Sequence, residues 1–277
     1  MKKNKLIAPF VKWVGGKRQL LPAINNLLPT KYTTYYEPFV GGGAVLFYIQ
    51  PKKAVINDFN SELINVYNVI KNNPNELISD LKTHINEPEY YYHLRALDRR
   101  KDYSKLSSIK KASRIIYLNK TCYNGLYRVN NSGEFNSPFG RYKNPNIINE
   151  TTIKAVNKYL NNNKITILNV DFENALEGIK KGAFVYFDPP YEPVSKSSNF
   201  TGYIQGGFNL FDQIRLRDLC IDLDSKGIKF LLSNSATPLI KDLYNNFNIK
   251  YVKAIRSINS NAKKRGEIDE LLIRNYE

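Results

Sequence analysis

Five short apolar runs set the rhythm of the chain: Tyr35-Tyr36, Ala54-Val55-Ile56, Ile165-Thr166-Ile167-Leu168, Ala183-Phe184-Val185-Tyr186-Phe187 and Ile228-Lys229-Phe230-Leu231-Leu232. Helical patterns such as Ala44-Val45-Leu46-Phe47-Tyr48 fall between them. β-rich runs separated by helices predict an α/β fold with a doubly wound, mostly parallel sheet. Two further runs, Ile249 to Ile258 and Glu270 to Arg274, lie close together and predict an antiparallel pair at the C-terminal end, joined by the loop Asn259 to Gly266.

The pattern changes in the middle of the chain. Glu89 to Arg100 and Ile109 to Leu118 read as helices, after which the chain becomes rich in Asn, Tyr and Arg. This predicts an insertion over residues 72–163 that divides a sheet domain into residues 1–71 and 164–277. Inside it, Arg128-Val129 and Glu134-Phe135 flank Asn130-Asn131-Ser132-Gly133, a turn-rich connection that predicts a β-hairpin. A two-stranded ribbon fits a DNA major groove, where an arginine reads guanine through O6 and N7.

Composition turns this outline toward a partner. With 277 residues and 42% hydrophobic content the chain can fill a core. Its 41 Lys+Arg against 25 Asp+Glu leave a formal charge of +16, a field that draws in polyanions, nucleic acid first. No run approaches a membrane span, and Pro9 and Lys12 cut the early apolar stretch too short for a secretion signal, so a cytoplasmic protein is expected. Cys122 and Cys220 make no disulfide framework and suit a reducing compartment. Beside them stand only His84 and His93, so no metal-ligand spacing is readable and no metal is expected; all four read as packing or surface positions.

Asp188-Pro189-Pro190-Tyr191 carries the candidate chemistry, because it follows the apolar run 183–187 and ligands of open α/β sheets bind where strands end. Each proline fixes its φ and lacks an N–H, and the first biases its predecessor to extended geometry, so the turn is stiff before any substrate arrives. Asp188 and the Pro189 carbonyl can accept the two N–H bonds of an amine conjugated to a flat ring. That draws the nitrogen toward sp³ geometry and restores its lone pair. The Tyr191 ring can stack on the base.

A second site lies nearer the amino end. Strand-like Tyr35-Tyr36-Glu37 leads into Pro38-Phe39-Val40-Gly41-Gly42-Gly43, whose glycines let the backbone bend sharply and approach a ligand closely. The pattern departs from G-x-G-x-x-G, so no pyrophosphate is placed on it. Val55-Ile56-Asn57-Asp58 ends the next strand with an acid suited to ribose hydroxyls. A nucleoside cofactor without phosphates is the reading these residues favour. Upstream, Trp13 and Lys17 stand where they could pack on such a cofactor and pair with a carboxylate.

In their order and spacing these segments resemble the Dam family of S-adenosylmethionine-dependent DNA adenine N6-methyltransferases, including modification enzymes of GATC-specific restriction systems. The resemblance covers nearly the whole chain. It rests on Lys12-Trp13-x-Gly15-Gly16-Lys17, Glu37-Pro38-Phe39-x-Gly41-Gly42-Gly43, Asn57-Asp58-Phe59-Asn60, Tyr123-Asn124-Gly125-Leu126-Tyr127-Arg128, Gly133-Glu134-Phe135-Asn136-x-Pro138-Phe139-Gly140-Arg141-Tyr142, Asp171-Phe172, Asp188-Pro189-Pro190-Tyr191, Leu232-Ser233-Asn234, and Arg265-Gly266 before Glu270-Leu271-Leu272.

The resemblance implies a Rossmann-like methyltransferase whose helical and hairpin insertion recognises DNA. Asp188, Pro189, Pro190 and Tyr191 would form the catalytic turn. Trp13, Lys17, Glu37, Phe39, Gly41, Gly43, Asp58, Asp171, Phe172 and Asp188 would surround S-adenosyl-L-methionine, with Lys17 on its carboxylate, Asp58 on its ribose and Phe172 on its adenine. Lys12 and Arg128 would read guanines of GATC, with Tyr123, Asn124, Leu126, Asn130, Asn136, Pro138, Arg141 and Tyr142 completing the contact with double-stranded DNA. Arg141, Lys143, Lys263, Lys264 and Arg265 read as phosphate contacts or as solvated charges. The target adenine would leave the stack to reach Asp188. A monomer working at the nucleoid, paired with a cognate restriction endonuclease, fits the same family. RNA adenine, cytosine N4 and protein glutamine are alternative targets for such a pocket, and a catalytically silent DNA-binding regulator is the alternative from another class.

Overall fold

The computed structural model describes residues 3–13, 15–193, 207–255 and 267–277. The expected loop 259–266, with Lys263, Lys264 and Arg265, lies outside the described residues, as does the end of the predicted strand beyond residue 255.

Seven strands form one sheet: β1 (Tyr35–Glu37), β2 (Lys53–Asn57), β3 (Lys164–Leu168), β4 (Phe184–Phe187), β5 (Lys229–Ser235), β6 (Asn248–Ile255) and β7 (Glu267–Arg274). Their order is β3-β2-β1-β4-β5-β7-β6. The first five run parallel, in registers such as Tyr35↔Ala54 and Tyr35↔Phe184. β7 pairs antiparallel with both β5 and β6. The doubly wound sheet with an antiparallel C-terminal pair is therefore present as expected. Chain order reverses between β1 and β4, which is where such sheets open a crevice at their carboxyl edge.

β4 is buried along its whole length because both faces are covered. Successive side chains of a strand point to opposite faces. Phe184 and Tyr186 accordingly enter one apolar cluster, while Val185 and Phe187 enter the other. Helices α2 (Ala44–Ile49), α3 (Ser61–Asn72), α4 (Pro74–Leu81), α5 (Pro88–Ala96), α6 (Ser108–Thr121) and α7 (Glu150–Asn162) contribute to the first cluster. The second is built with α8 (Leu210–Ser225) and α9 (Pro238–Leu243). α1 (Leu21–Asn25) adds Ile24 to the first.

The middle of the chain shares the core of the sheet. Buried Ile115, Tyr117 and Leu118 of α6 and Val156 and Leu160 of α7 lie in one cluster with Ile56 of β2 and Ile165 of β3. The predicted helices appear as α5, followed by a 3-10 turn at Leu97–Arg99, and α6. The hairpin is narrower than a ribbon. It consists of the antiparallel bridge Val129↔Phe135, Asn130 N–H donating to Glu134 O, Asn136 N–H donating to Arg128 O, and a second bridge, Cys122↔Phe139. The Asn130 side chain explains the economy: its Oδ1 accepts the N–H groups of Ser132 and Glu134, so side-chain bonds close the turn that longer strands would otherwise frame.

Candidate active site

β4 delivers Asp188 to the carboxyl edge of the sheet, directly beside Lys17. The Lys17 Nζ lies 2.8 Å from Asp188 Oδ1, with the lysine 5% and the aspartate 19% exposed. The same ammonium donates to the Gly15 carbonyl at 2.6 Å and sits 4.5 Å from the centre of the Tyr191 ring. The Tyr191 hydroxyl in turn donates to Glu270 Oε2 on β7 at 2.9 Å. Burial pushes the Asp188 carboxyl up to about 6; the Lys17 charge opposes the rise and Glu270 adds to it. An ammonium thus occupies the corner where an acidic acceptor meets an aromatic face.

The turn after Asp188 is fastened from behind. Gln213 of α8 donates its Nε2 to the Pro190 carbonyl, and its Oε1 accepts from Asn234 Nδ2. Asn234 Oδ1 accepts the Glu192 N–H, and the Ser235 hydroxyl donates to the Glu192 carbonyl. One strand below, the Tyr186 and Ser233 hydroxyls meet at 2.7 Å.

At the end of β1, Glu37 is 2% exposed and accepts from the Tyr35 hydroxyl at 2.8 Å. Burial holds its carboxyl well above the usual carboxylate range, and Asp188 and Asp58 add to the rise. The glycine loop follows. Gly41 (φ 49°) donates its N–H to Asp58 Oδ2 at 2.9 Å, while Asp58 Oδ1 accepts from the Asn60 N–H at 2.9 Å. Burial still pushes Asp58 up to about 6, because those two donors compensate only part of the lost hydration. Trp13 closes the other side. A Cβ at Gly41 would stand 2.9 Å from its Cδ1, and its ring stacks on Tyr127 at 4.7 Å between centroids.

Phe172 is 5% exposed, packed on Phe39 at 5.4 Å and Phe208 at 5.9 Å, with the Arg215 guanidinium 4.7 Å above its ring. Arg215 also pairs with Asp171 at 2.8 Å and Glu173 at 2.9 Å. Two apolar residues on the loops that follow β2 and β3 remain open to solvent, Phe59 at 58% and Val170 at 37%. The structure therefore gathers Trp13, Lys17, Glu37, Phe39, Gly41, Gly43, Asp58, Asp171, Phe172 and Asp188 around the ends of β1 to β4. Val170, Arg215 and Gln213 join them without any signal in the sequence pattern.

The residues expected to contact DNA adjoin this group through Lys12, which precedes Trp13, and through Tyr127, which stacks on the Trp13 ring. Arg128 is held by Asn136: its Nε donates to Asn136 Oδ1 at 2.6 Å and its Nη2 to the Asn136 carbonyl at 3.2 Å. An open groove of about 510 Å³ is lined by Arg128, Asn130, Asn136 and their neighbours. Lys12 is anchored through its backbone, its N–H donating to Asn119 Oδ1 and its carbonyl accepting from Asn119 Nδ2. Its stem runs over Gly125 and its ammonium lies 5.9 Å from the Tyr142 ring centre. Tyr123 is 54% exposed and donates its N–H to the Pro138 carbonyl. Asn124 (φ 57°) and Arg141 (φ 53°) both hold left-handed backbone, a strained conformation that bulky residues rarely adopt. Leu126 is half-buried.

Cys122 and Cys220 are buried, and His84 is bonded to Tyr90 and Ser113. Among the described residues no group of three or more His, Cys, Asp or Glu is placed to hold a metal. No described helix is long and apolar enough to cross a membrane.

Comparison with known proteins gives this geometry its context. A family model described as "D12 class N6 adenine-specific DNA methyltransferase" matches residues 13–258. The chain is 50% identical to a type II methyltransferase, M1.LlaDCHI, of Lactococcus lactis subsp. cremoris, covering 100% of this chain and 98% of that one. It is 46% identical to the type II methyltransferase M.MjaIII of Methanocaldococcus jannaschii, covering 98% of this chain and 99% of that one. It is 35% identical to the DNA adenine methylase of Escherichia coli K12, covering 98% and 95% respectively.

Proposed function

Because the chain belongs to the D12 class of N6 adenine-specific DNA methyltransferases, we propose that it transfers a methyl group from S-adenosylmethionine to N6 of an adenine extruded from duplex DNA, with GATC as its site. The Lys17–Asp188–Tyr191 corner carries this reading. A nitrogen bearing N–H bonds already rests 2.8 Å from the carboxylate and 4.5 Å from the ring centre, the environment the exocyclic amine of a base requires.

The residues around β1 and β2 fit the cofactor. Asp58 is a carboxylate whose raised pKa marks an under-solvated acceptor, matched to a hydroxyl pair. Lys17 is the cation for a carboxylate, and the Gly41 loop brings backbone close to Trp13. When bound, S-adenosylmethionine supplies a methyl carbon made electrophilic by positive sulfur. Trp13, Lys17, Glu37, Phe39, Gly41, Gly43, Asp58, Asp171 and Phe172 are the residues proposed to hold it, with exposed Phe59 and Val170 at the rim.

The chain's own work is alignment. Asp188, ionised above about pH 6, accepts an N6–H bond and draws the nitrogen out of conjugation. Tyr191 stacks on the base, and the two prolines keep acceptor and ring in register. Positioning of this kind can lower a barrier by as much as ~7–11 kcal/mol. Extruding the base costs a few kcal/mol, offset by those same contacts. Arg128 reads a guanine from residues 72–163, the recognition insert between catalytic segments 1–71 and 164–277, and Lys12 reads another from the first of those segments. We further place the protein in the cytoplasm at the nucleoid, acting as a monomer, with a cognate restriction endonuclease as its functional partner; two relatives carry type II names.

Labelled S-adenosylmethionine incubated with duplexes that differ at one base tests the reading. Incorporation into GATC duplexes, and loss on changing either guanine or the adenine, is expected. Equal incorporation into all sequences removes the site assignment, and none into any DNA removes the activity.

A further inference from the structure

We propose that Gln213 is a positioning residue for the Asp-Pro-Pro-Tyr turn, acting through a fixed amide relay with Asn234; this rests on the methyltransferase reading above. Gln213 is fully buried in the first turns of α8, on a stripe whose other members are Leu216, Cys220 and Leu223. An amide in an apolar stripe costs free energy unless its hydrogen bonds are made. Here both ends are used. Nε2 donates to the Pro190 carbonyl at 3.2 Å, and Oε1 accepts from Asn234 Nδ2 at 3.1 Å.

The sense of the relay is dictated at its two ends by backbone atoms. Pro190 presents a carbonyl, which only accepts, so the Gln213 nitrogen must face it. The Gln213 oxygen then faces Asn234, whose nitrogen must donate. The Asn234 oxygen is left to accept the Glu192 N–H at 3.2 Å and the Ser235 N–H at 2.8 Å. Asn234 is fully buried as well. Two side chains from α8 and β5 therefore grip the turn on both sides of Tyr191, at Pro190 and at Glu192.

The reason lies in the prolines. Neither Pro189 nor Pro190 offers an N–H, so this stretch cannot brace itself by backbone donation as an ordinary turn does. α8 is itself anchored at this end by reciprocal bonds between Asn209 and Asp212. The relay thus ties the catalytic turn to a rigid element, and Tyr191 gains a third tether at Glu270.

Single-turnover transfer to a GATC duplex with saturating S-adenosylmethionine tests the relay, using Gln213→Met, which keeps the volume and loses both bonds, and Asn234→Leu, which opens the relay from β5. Misplacing a reacting group by about 1 Å costs up to ~100-fold, so the rate is expected to fall about 10- to 100-fold. Affinities for cofactor and for duplex should stay within about twofold, the signature of an interaction felt only in the transition state. Adding Asn234→Leu to Gln213→Met should cost little more than either alone, because one broken link opens the relay. Wild-type rates in a folded variant, or additive losses, overturn the proposal, as does an equal loss in binding and rate. If Gln213→Met does not fold, the rate and affinities of Asn234→Leu decide between these outcomes. Absence of transfer by the unaltered protein sinks the methyltransferase reading instead.

Discussion

The ammonium of Lys17 lies 2.8 Å from the carboxylate of Asp188, whose proton feels burial and the lysine charge in opposite senses. Burial lifts the Asp188 carboxyl to about 6, and Lys17 restrains the rise. The ionised carboxylate is the acceptor in the proposed reaction, so its protonation removes function. Turnover measured with saturating cofactor should therefore fall as pH drops through about 6. In Lys17→Met the restraint is gone, so the acid limb should move to higher pH. A limb that stays put in that variant, with cofactor saturating, shows that another group titrates.

Asp188→Ala separates chemistry from binding. The surface around Arg128 and Lys12 proposed to contact DNA is built on other segments, so duplex affinity should persist while transfer disappears. Filter binding beside a single-turnover assay checks both at once, and unchanged turnover refutes the role of Asp188. Tyr191→Ala removes a stacking face worth ~1–3 kcal/mol per base. Tyr191→Phe keeps that face and loses only the bond to Glu270, so it should be the milder of the two.

Gly43 (φ 75°) caps α2 in left-handed geometry, and a Cβ there would stand 2.6 Å from the Tyr67 hydroxyl and 2.7 Å from Phe47 Cε2. Both neighbours are buried and have nowhere to move. Gly43→Ala should cost about 2–5 kcal/mol, from overpacking at ~1–3 and the left-handed penalty at ~1–2. Gly178→Ala is the control, since φ is 70° there but nothing lies within 4 Å, and it should cost the backbone penalty alone. Urea midpoints of the two variants measure the difference, and equal midpoints would show that the loop yields freely.

How far this was legible in the chain depends on which force shapes each element. β4 announces itself because a strand buried on both faces must be apolar throughout, and the prolines after it mark the turn. Gly41 to Gly43 and Asp58 were readable because backbone demands at strand ends leave glycine and acid in place. The Arg128–Asn136 bond was hidden, since both residues read separately as DNA contacts. Gln213 was hidden more deeply: a glutamine on a helix reads as solvated, and only the tertiary fold reveals an apolar stripe around it. The hairpin pairs where its flanks were expected, at Val129 and Phe135, but closure of its turn by the Asn130 side chain was not readable from the residues.

Arg128 should report one base pair rather than overall affinity. In the structure two of its nitrogens are occupied by Asn136, which fixes the guanidinium plane at the edge of the groove. A planar fork held in this way suits bidentate contact to guanine O6 and N7, and each such contact discriminates by ~1–3 kcal/mol. Arg128→Ala should therefore lower the preference for one guanine of the site by that amount. Asn136→Ala removes the side-chain bond to Nε and keeps the carbonyl bond to Nη2, so the guanidinium is held less firmly and the preference should weaken less. Lys143 is exposed and offers only charge, and Lys143→Ala should weaken all sequences alike and reduce the salt slope by about one. Competition binding across single-base variants at two salt concentrations separates these patterns. If Arg128→Ala and Lys143→Ala produced the same uniform loss, the hairpin would be gripping the phosphate backbone instead of reading a base.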